Sequence, residues 1–454
     1  DPNPPTSNTL KFPKKEMRGV WIASAWGLDW PRENYNEEAQ KSLYISYLEK
    51  FKELKINAVF FQVRAMGDAF YASQYEPWSV NAAGQRGRAA NYDILKFMID
   101  EAHARGIEFH AWVNPFRVAT RANTSQLYPD LHSSIPSNWV LNHEKIQIYN
   151  PGKPEVRQRL ADILKELVQK YEVDGIHFDD YFYPSASSAG TMQSDAADYQ
   201  TYGAGHANIE SWRRSNVDAT MKIVSDMIKA TKPAVVFSVS PAPNHQSNFN
   251  NLFADVPKWG KEGWVDVIMP QLYQEIGNPY NDFRQNLAFW SQNSGTASVM
   301  IGYGLYKFGD PTAGAAFQSP SELIRQFELT RSNSKVFGHA MYSAKTIMSN
   351  PIGITQTLKD LYAKPAVIPF LGRSIATNPS KPTGISISAN ELKWTHSAGN
   401  MAVVYYFPTK ESEGEVLAIT ENQTFTISKN GWYCVTALNA DNKESEHTDL
   451  VEKK

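Results

Sequence analysis

The sequence predicts a (β/α)8 barrel followed by a small β-sandwich. Three observations carry that expectation. Eight short β-rich apolar runs recur up to residue 343, and seven segments of helical period alternate with them. Beyond residue 364 the texture changes to short alternating runs broken by polar turns. Helix pattern alternating with buried-strand pattern makes parallel βαβ units, and eight such units close into a barrel. A doubly wound open sheet would want a glycine-rich phosphate turn after the first strand. Ser24-Ala25-Trp26-Gly27-Leu28 is not one.

The predicted strands are 18–24 (RGVWIAS), 57–64 (NAVFFQVR), 107–115 (IEFHAWVNP) and 174–181 (DGIHFDDY). They continue with 234–241 (AVVFSVSP), 266–273 (DVIMPQLY), 298–304 (SVMIGYG) and 336–343 (VFGHAMYS). Predicted helices cover 37–54, with Leu43, Tyr47, Leu48, Phe51 and Leu54 on one stripe, and 92–104. A third covers 154–171, opened by Pro154, which suits a first helical turn. The rest are 209–230, 282–292, 321–330 and 355–363.

The domain boundaries follow as a Pro-rich leader (1–15), the barrel (16–371), a linker (372–383) and the sandwich (384–454). The barrel segment exceeds the ~250 residues usual for this fold. Its longest insertions, 116–150 and 182–208, leave the C-terminal ends of strands three and four, where barrel enzymes build their sites. The leader reads either as a tether left after removal of a signal or lipoprotein peptide, or as the ragged end of a cytoplasmic protein. In the last segment, Trp394 and the run from Trp432 to Asn439 resemble the core tryptophan and late strand of fibronectin type III domains.

Composition excludes several classes. The formal net charge is −2, from 45 Lys plus Arg against 47 Asp plus Glu, without the basic excess of a dedicated nucleic-acid binder. Apolar content of 42% excludes dominant disorder, and no apolar run approaches the ~18 residues of a membrane span. Cys434, the single cysteine, allows neither an intramolecular disulfide nor a multi-cysteine metal site. The excess is aromatic: 12 Trp, 22 Tyr and 22 Phe.

Alternation within the strands sorts the polar residues by face. Gln62 and Arg64, then His110, Trp112 and Asn114, then His177, Asp179 and Tyr181 share inward phase with Ser238, Ser240, Gln271 and Tyr273. The opposite faces are apolar and suit a helical ring. Polar groups therefore converge on the C-terminal mouth of the barrel. Glycoside cleavage needs two carboxylates there, one as nucleophile or base and one as proton donor. Asp179 has the inward phase, and a bend at the strand end lets Asp180 serve instead. Glu275, in phase with Gln271 and Tyr273, is the first candidate for the donor; Asp29 and Asp68 follow. Trp26, Trp30, Trp112, Tyr181 and Tyr273 lie at strand ends or in the loops beyond, where flat rings suit stacking on sugars. No cofactor or metal is expected: the first strand has no histidine, and neither a nucleophile elbow nor a Walker loop is present.

Several motifs in order resemble the glycosyl-hydrolase-like 10 family. They are Arg18-Gly19-Val20-Trp21-Ile22, Phe61-Gln62-Val63-Arg64 with Gly67-Asp68-Ala69-Phe70-Tyr71, and His110-Ala111-Trp112-Val113-Asn114-Pro115. The set continues with Gly175-Ile176-His177-Phe178-Asp179-Asp180-Tyr181-Phe182-Tyr183-Pro184, Trp212-Arg213-Arg214 and Pro270-Gln271-Leu272-Tyr273. His177-x-Asp179 is more distantly similar to the fourth-strand basic-x-Asp of α-amylase-type and α-galactosidase-type barrels, whose aspartate is the nucleophile. The position of the chitinase-type catalytic glutamate falls on Tyr181, which argues against chitinase-style chemistry. The resemblance implies a bacterial cell-envelope protein, often a lipoprotein with a lipid anchor, that acts on glycans, peptidoglycan strands above all. On this reading Asp179 or Asp180 is nucleophile or base and Glu275 the proton donor. Arg64, Asn114, His177 and Gln271 would bind sugar hydroxyls or steady the carboxylates; Trp26, Asp29, Trp30, Trp112, Tyr181 and Tyr273 complete the glycan site. The alternative is a non-catalytic carbohydrate-binding barrel presented at the cell surface.

Overall fold

The computed structural model describes residues 10–454, so most of the leader, including its Asp1–Pro5 stretch, lies outside the described residues. The eight expected strands form a closed, wholly parallel barrel. They are β1 (Met17–Ile22), β2 (Ala58–Arg64), β3 (Glu108–Val113) and β4 (Gly175–Phe178), then β5 (Val236–Val239), β6 (Val267–Ile268), β7 (Ser298–Gly304) and β8 (Val336–Tyr342). Neighbours in sequence are neighbours in the barrel, and β8 closes on β1. β6 is the shortest because Pro270 has no N–H to give the ladder. Its line resumes only as an isolated bridge between Gln271 and Gly302.

The helices lie where hydrophobic period placed them. Glu37–Glu53 is capped by Asn36, whose side chain accepts from Ala39 N, and Pro154–Lys170 carries its proline in the first turn. Their apolar stripes (Tyr44, Tyr47, Leu48 and Phe51; Val156, Leu160, Ile163, Leu164 and Leu167) are buried. Burying such side chains contributes about 1.5–3 kcal/mol each, which holds the ring.

Two glycines permit the interior packing. A β-carbon at Gly175 would lie 2.1 Å from the His110 Nδ1, and one at Gly302 would lie 2.7 Å from the Trp21 ring. Their absence lets His110 and Trp21 fill the barrel instead of clashing with its wall.

Insertions crown the C-terminal ends of the strands. After β3, strands Arg117–Thr120, Val140–His143 and Ile146–Tyr149 make an antiparallel sheet with 146–149 in the middle. After β4, two short helices (Ala186–Ala189 and Ala196–Tyr202) follow. This insertion is tied down by a buried bidentate pair: Arg213 Nε to Asp195 Oδ2 at 2.9 Å and Nη2 to Oδ1 at 2.6 Å.

The chain divides into two compact units. One is the barrel, 18–358 with 371–373; the other joins the described residues up to 17, 359–370 and 374–454. The second unit contains β9 (Thr383–Ser388), β10 (Glu391–Thr395), β11 (Met401–Phe407), β12 (Glu415–Thr420), β13 (Thr424–Thr426), β14 (Gly431–Leu438) and β15 (Val451–Lys453). They form an antiparallel sheet β9-β10-β13 and another ordered β12-β11-β14-β15. Leu392, Trp394, Val404, Tyr406, Tyr433 and Val435 build one apolar core of this unit. The other face of β11 and β14 packs Val403, Tyr405, Phe407 and Cys434 with Leu10 and Val367. Phe12 meets Tyr405 and Phe407 edge-on. Residues 10–12 are therefore packed parts of this unit. Burial raises the Cys434 thiol far above its ordinary value, which makes it inert.

Candidate active site

The centre of the mouth is built by β3 and β4. β4 ends at Phe178, and the bend that follows turns Asp179 and Asp180 toward different partners. Asp179 is 4% exposed. Its Oδ2 accepts from Trp112 Nε1 at 3.0 Å, its Oδ1 from Tyr181 N at 3.1 Å, and Asn114 Nδ2 approaches both at 3.3–3.4 Å. Asn114 is held the right way round because its Oδ1 accepts from the Phe116 and Arg117 N–H groups. Asp180, half-buried, accepts from Gln271 Nε2 at 3.0 Å, and that amide also donates to Ser240 O at 2.9 Å.

Burial dominates the electrostatics of the pair. It pushes Asp179 up to about 7, helped by the charge of Asp180 and opposed by Arg117 and the Trp112 and Tyr181 donors. Asp180 is raised by burial too, against the Gln271 hydrogen bond. Two neighbouring carboxylates in a dry site cannot both ionise freely, so a proton stays on the pair near neutral pH. That is the condition for acid–base work.

Around Asp180 stand phenols. Tyr273, Tyr306 and Tyr342 form a triangle of rings 6.0–6.2 Å apart. The charge of Asp180 is the main cause that raises Tyr181, whereas burial is the main cause for Tyr273 and Tyr342, with Asp180 adding to both. On the other side, Arg117 lies 5.4 Å from both the Trp26 ring and the Tyr181 ring, and its Nε donates to Ala65 O at 3.0 Å. Trp26 is 66% exposed and Tyr181 52%, so both present free surface at the mouth.

Not every expected residue reaches this site. Arg64 is buried, ion-paired with Glu76 at 3.2 Å, and donates to the Asn114 and Pro115 carbonyls. A bulge between Gln62 and Arg64 breaks the alternation that gave it inward phase, so it ties loops together. Gln62 likewise accepts from the Ser24 and Ala25 N–H groups. His177 lies deeper in the barrel, accepting from Trp21 Nε1 at 3.1 Å with its Nδ1 2.8 Å from Ser238 Oγ. Burial keeps it neutral, the His110 charge adding to that. Asp29 is fully buried and saturated: Ala23 N, Ser343 Oγ and Lys345 N all donate to it. Trp30 is fully buried against Phe61 and Phe70, its indole N–H on Gln40 O, and offers no face to a ligand. Glu275 accepts from Asn278 in its own turn; among the described residues it bonds to neither aspartate.

Arg117, Tyr306 and Tyr342 were missed. Arg117 opens the first strand of the insertion and Tyr306 lies just beyond β7, where the alternation of the barrel strands no longer assigns a face; only their nearness to the end of a barrel strand was a signal. Tyr342 has the same phase as Ala340 on β8, whose neighbours gave no polar pattern. Among the described residues no group of three or more His, Cys, Asp or Glu is placed to hold a metal ion.

A carboxylate pair at the C-terminal mouth of a parallel (β/α)8 barrel, ringed by exposed aromatics, defines a barrel of the glycoside-hydrolase type. Residues 16–316 match the model of the family described as glycosyl hydrolase-like 10. The chain belongs to that family. It is 36% identical over 389 residues to Glycosyl hydrolase YngK of Bacillus subtilis (strain 168), covering 81% of this chain and 76% of the relative. With Glycosyl hydrolase DigH of Escherichia coli (strain K12) it shares 32% over 337 residues, 67% of this chain and 76% of that protein. Among solved structures, the glycoside hydrolase domain of PgaB (BpsB) from Bordetella bronchiseptica superposes with a TM-score of 0.52 at 14% identity. That match covers 80% of this chain and 100% of the domain, and it shows the barrel fold.

Proposed function

We propose that this protein hydrolyses glycosidic bonds in glycan chains of the bacterial cell envelope, peptidoglycan strands foremost. The adjacent aspartates carry this reading. Asp179 is buried among donors yet holds a proton near neutrality. Asp180 is more open and bordered by phenols. Asp180 meets the sugar as the ionised carboxylate, and Asp179 supplies the acid of the pair. Gln271 orients Asp180; Trp112 and Asn114 orient Asp179. Trp26 and Tyr181 offer stacking faces for neighbouring sugar units. The relatives named glycosyl hydrolases support the chemistry. The substrate class and the envelope location, with a lipid anchor through a removed N-terminal segment, rest on the family resemblance.

The test is release of reducing ends from purified peptidoglycan, with and without stem peptides, and from unrelated polysaccharides. Cleavage abolished by both Asp179→Asn and Asp180→Asn supports the site, and full activity in both variants refutes it. Binding to glycan strands with no release of ends would favour a carbohydrate-binding barrel instead. For the second unit we propose a fibronectin type III-like, non-catalytic module. Its three-plus-four strand arrangement and the buried Trp394 support this. Loss of turnover on deleting 376–454, with the barrel still folded, would contradict it.

A further inference from the structure

Arg117 opens the first strand of the inserted sheet and is 9% exposed. A guanidinium keeps its charge at any ordinary pH, and a buried one is normally paired with a carboxylate. Arg117 is held differently. Its Nε donates to Ala65 O at 3.0 Å, its backbone N–H donates to Asn114 Oδ1 at 2.8 Å, and the guanidinium lies 5.4 Å from the Trp26 and Tyr181 rings. It forms no ion pair among the described residues. The cation is fixed in place and left without a counter-ion.

Two of those neighbours also hold Asp179. The Asn114 amide turns its Nδ2 to that carboxylate, and Tyr181 N donates to its Oδ1. Arg117 is thus anchored on both flanks of the aspartate loop, and its charge works against the rise that burial gives Asp179 and Asp180. Salt screens a buried field of this kind little. The other charged groups around the mouth are turned elsewhere. Arg64 is paired with Glu76. Arg86 donates to the Met66 and Gly67 carbonyls, and Asp68 accepts from the Ala65 and Met66 N–H groups. Asp29 accepts from its own loop partners with Lys345 beside it, and Lys307 has Glu275 as its opposite charge. The phenols of Tyr181, Tyr273, Tyr306 and Tyr342 are raised and stay neutral, as does buried His177.

We propose that Arg117 is a positioning residue for the cleavage, a fixed cation that sets the pH window in which the aspartate pair carries one proton. It acts through Asp179 and Asp180 and breaks no bond itself. With its charge in place, Asp180 ionises while Asp179 keeps the proton. Without that charge, both ionisations of the pair move to higher pH. This rests on the reading of the two aspartates as the reacting pair, and it names the group that tunes them.

The experiment follows the two carboxyl groups directly, by carbon NMR of the full chain labelled at its aspartate carboxyls. Asp179→Asn and Asp180→Asn assign the signals. Arg117→Gln and Arg117→Met remove the charge, and Arg117→Lys keeps it. The neutral variants should titrate about 1 pH unit higher than wild type, and the lysine variant close to wild type. The pH profile of kcat/KM should follow. On its acid side each neutral variant should cleave glycan about 10-fold more slowly than wild type, and its alkaline fall should come about 1 pH unit later. Thermal melting shows which neutral variant is folded, and either one suffices. A carboxyl titration unchanged in a folded neutral variant overturns the proposal. So does a shift of equal size in Arg117→Lys, which would trace it to lost contacts instead of lost charge. The titration needs no substrate, whereas the glycan-hydrolase reading fails separately, when Asp180→Asn leaves cleavage intact.

Discussion

Two loops at the same barrel mouth each carry an aspartate beside an aromatic ring, and they do opposite things. The loop after β1 holds Asp29 and Trp30 at zero exposure, with every near donor spent on the carboxylate and the ring walled in by Phe61 and Phe70. The loop after β4 holds Asp179, Asp180 and Tyr181, where a carboxylate stays half-buried and a ring lies open. Both Asp29 and Asp179 are raised by burial. Each also accepts from three donors, Asp29 from Ala23 N, Ser343 Oγ and Lys345 N and Asp179 from Trp112, Asn114 and Tyr181 N. Their difference is the charge nearby: a second carboxylate, Asp180, adds to the rise at Asp179, and none does so at Asp29.

The comparison breaks most readily at Asp180. Asp180→Asn should lower glycan turnover about ten-thousand-fold, equivalent to about 5 kcal/mol, with the melting temperature little changed. Next in size, Trp30→Ala should cost about 3–5 kcal/mol of stability and Asp29→Ala about 3 kcal/mol, read by denaturant unfolding. If Asp29→Ala instead spared stability and abolished turnover, the two loops would have to exchange roles.

Smaller is the pH signature of Asp179. Its folded value lies above its unfolded one, so the native state binds the proton more tightly. That contribution to stability is complete below about pH 4 and is lost as pH rises through about 7. Asp179→Asn should therefore stabilise the fold at pH 8 relative to wild type, by about 2 kcal/mol, and leave it little changed at pH 4. Wild-type turnover should fall as pH rises past the same point. Smallest of all, Glu275→Gln should change turnover by less than about 3-fold. A collapse of activity there would restore Glu275 as the proton donor.

The barrel was legible because period speaks for it. Alternation in β2 to β5 and the stripes of Tyr44–Phe51 and Val156–Leu167 are set by burial on one face. Asp179, Trp112, Asn114 and Gln271 were legible for the same reason, since their phase continues from a strand. Legibility ends where the ladder does. The bulge before Arg64 and the bend after Phe178 alter direction by one residue, and alternation carries no warning of either. Trp26 and Trp30 lie four residues apart in one loop, one exposed and one buried, and composition cannot tell them apart. Arg117 and Tyr306 depend on contacts across the mouth that no local pattern encodes.

One backbone angle has a practical corollary. Trp26 has φ +53°, in the left-handed region where a β-carbon costs about 1 kcal/mol, and its indole is mostly in water. The fold pays for a ring that returns little burial. Glycine at 26 should raise the melting temperature by a degree or two while loosening the grip on glycan. A laboratory selection that rewards heat resistance alone would enrich that glycine, and its survivors would be sturdier proteins that hold sugar poorly.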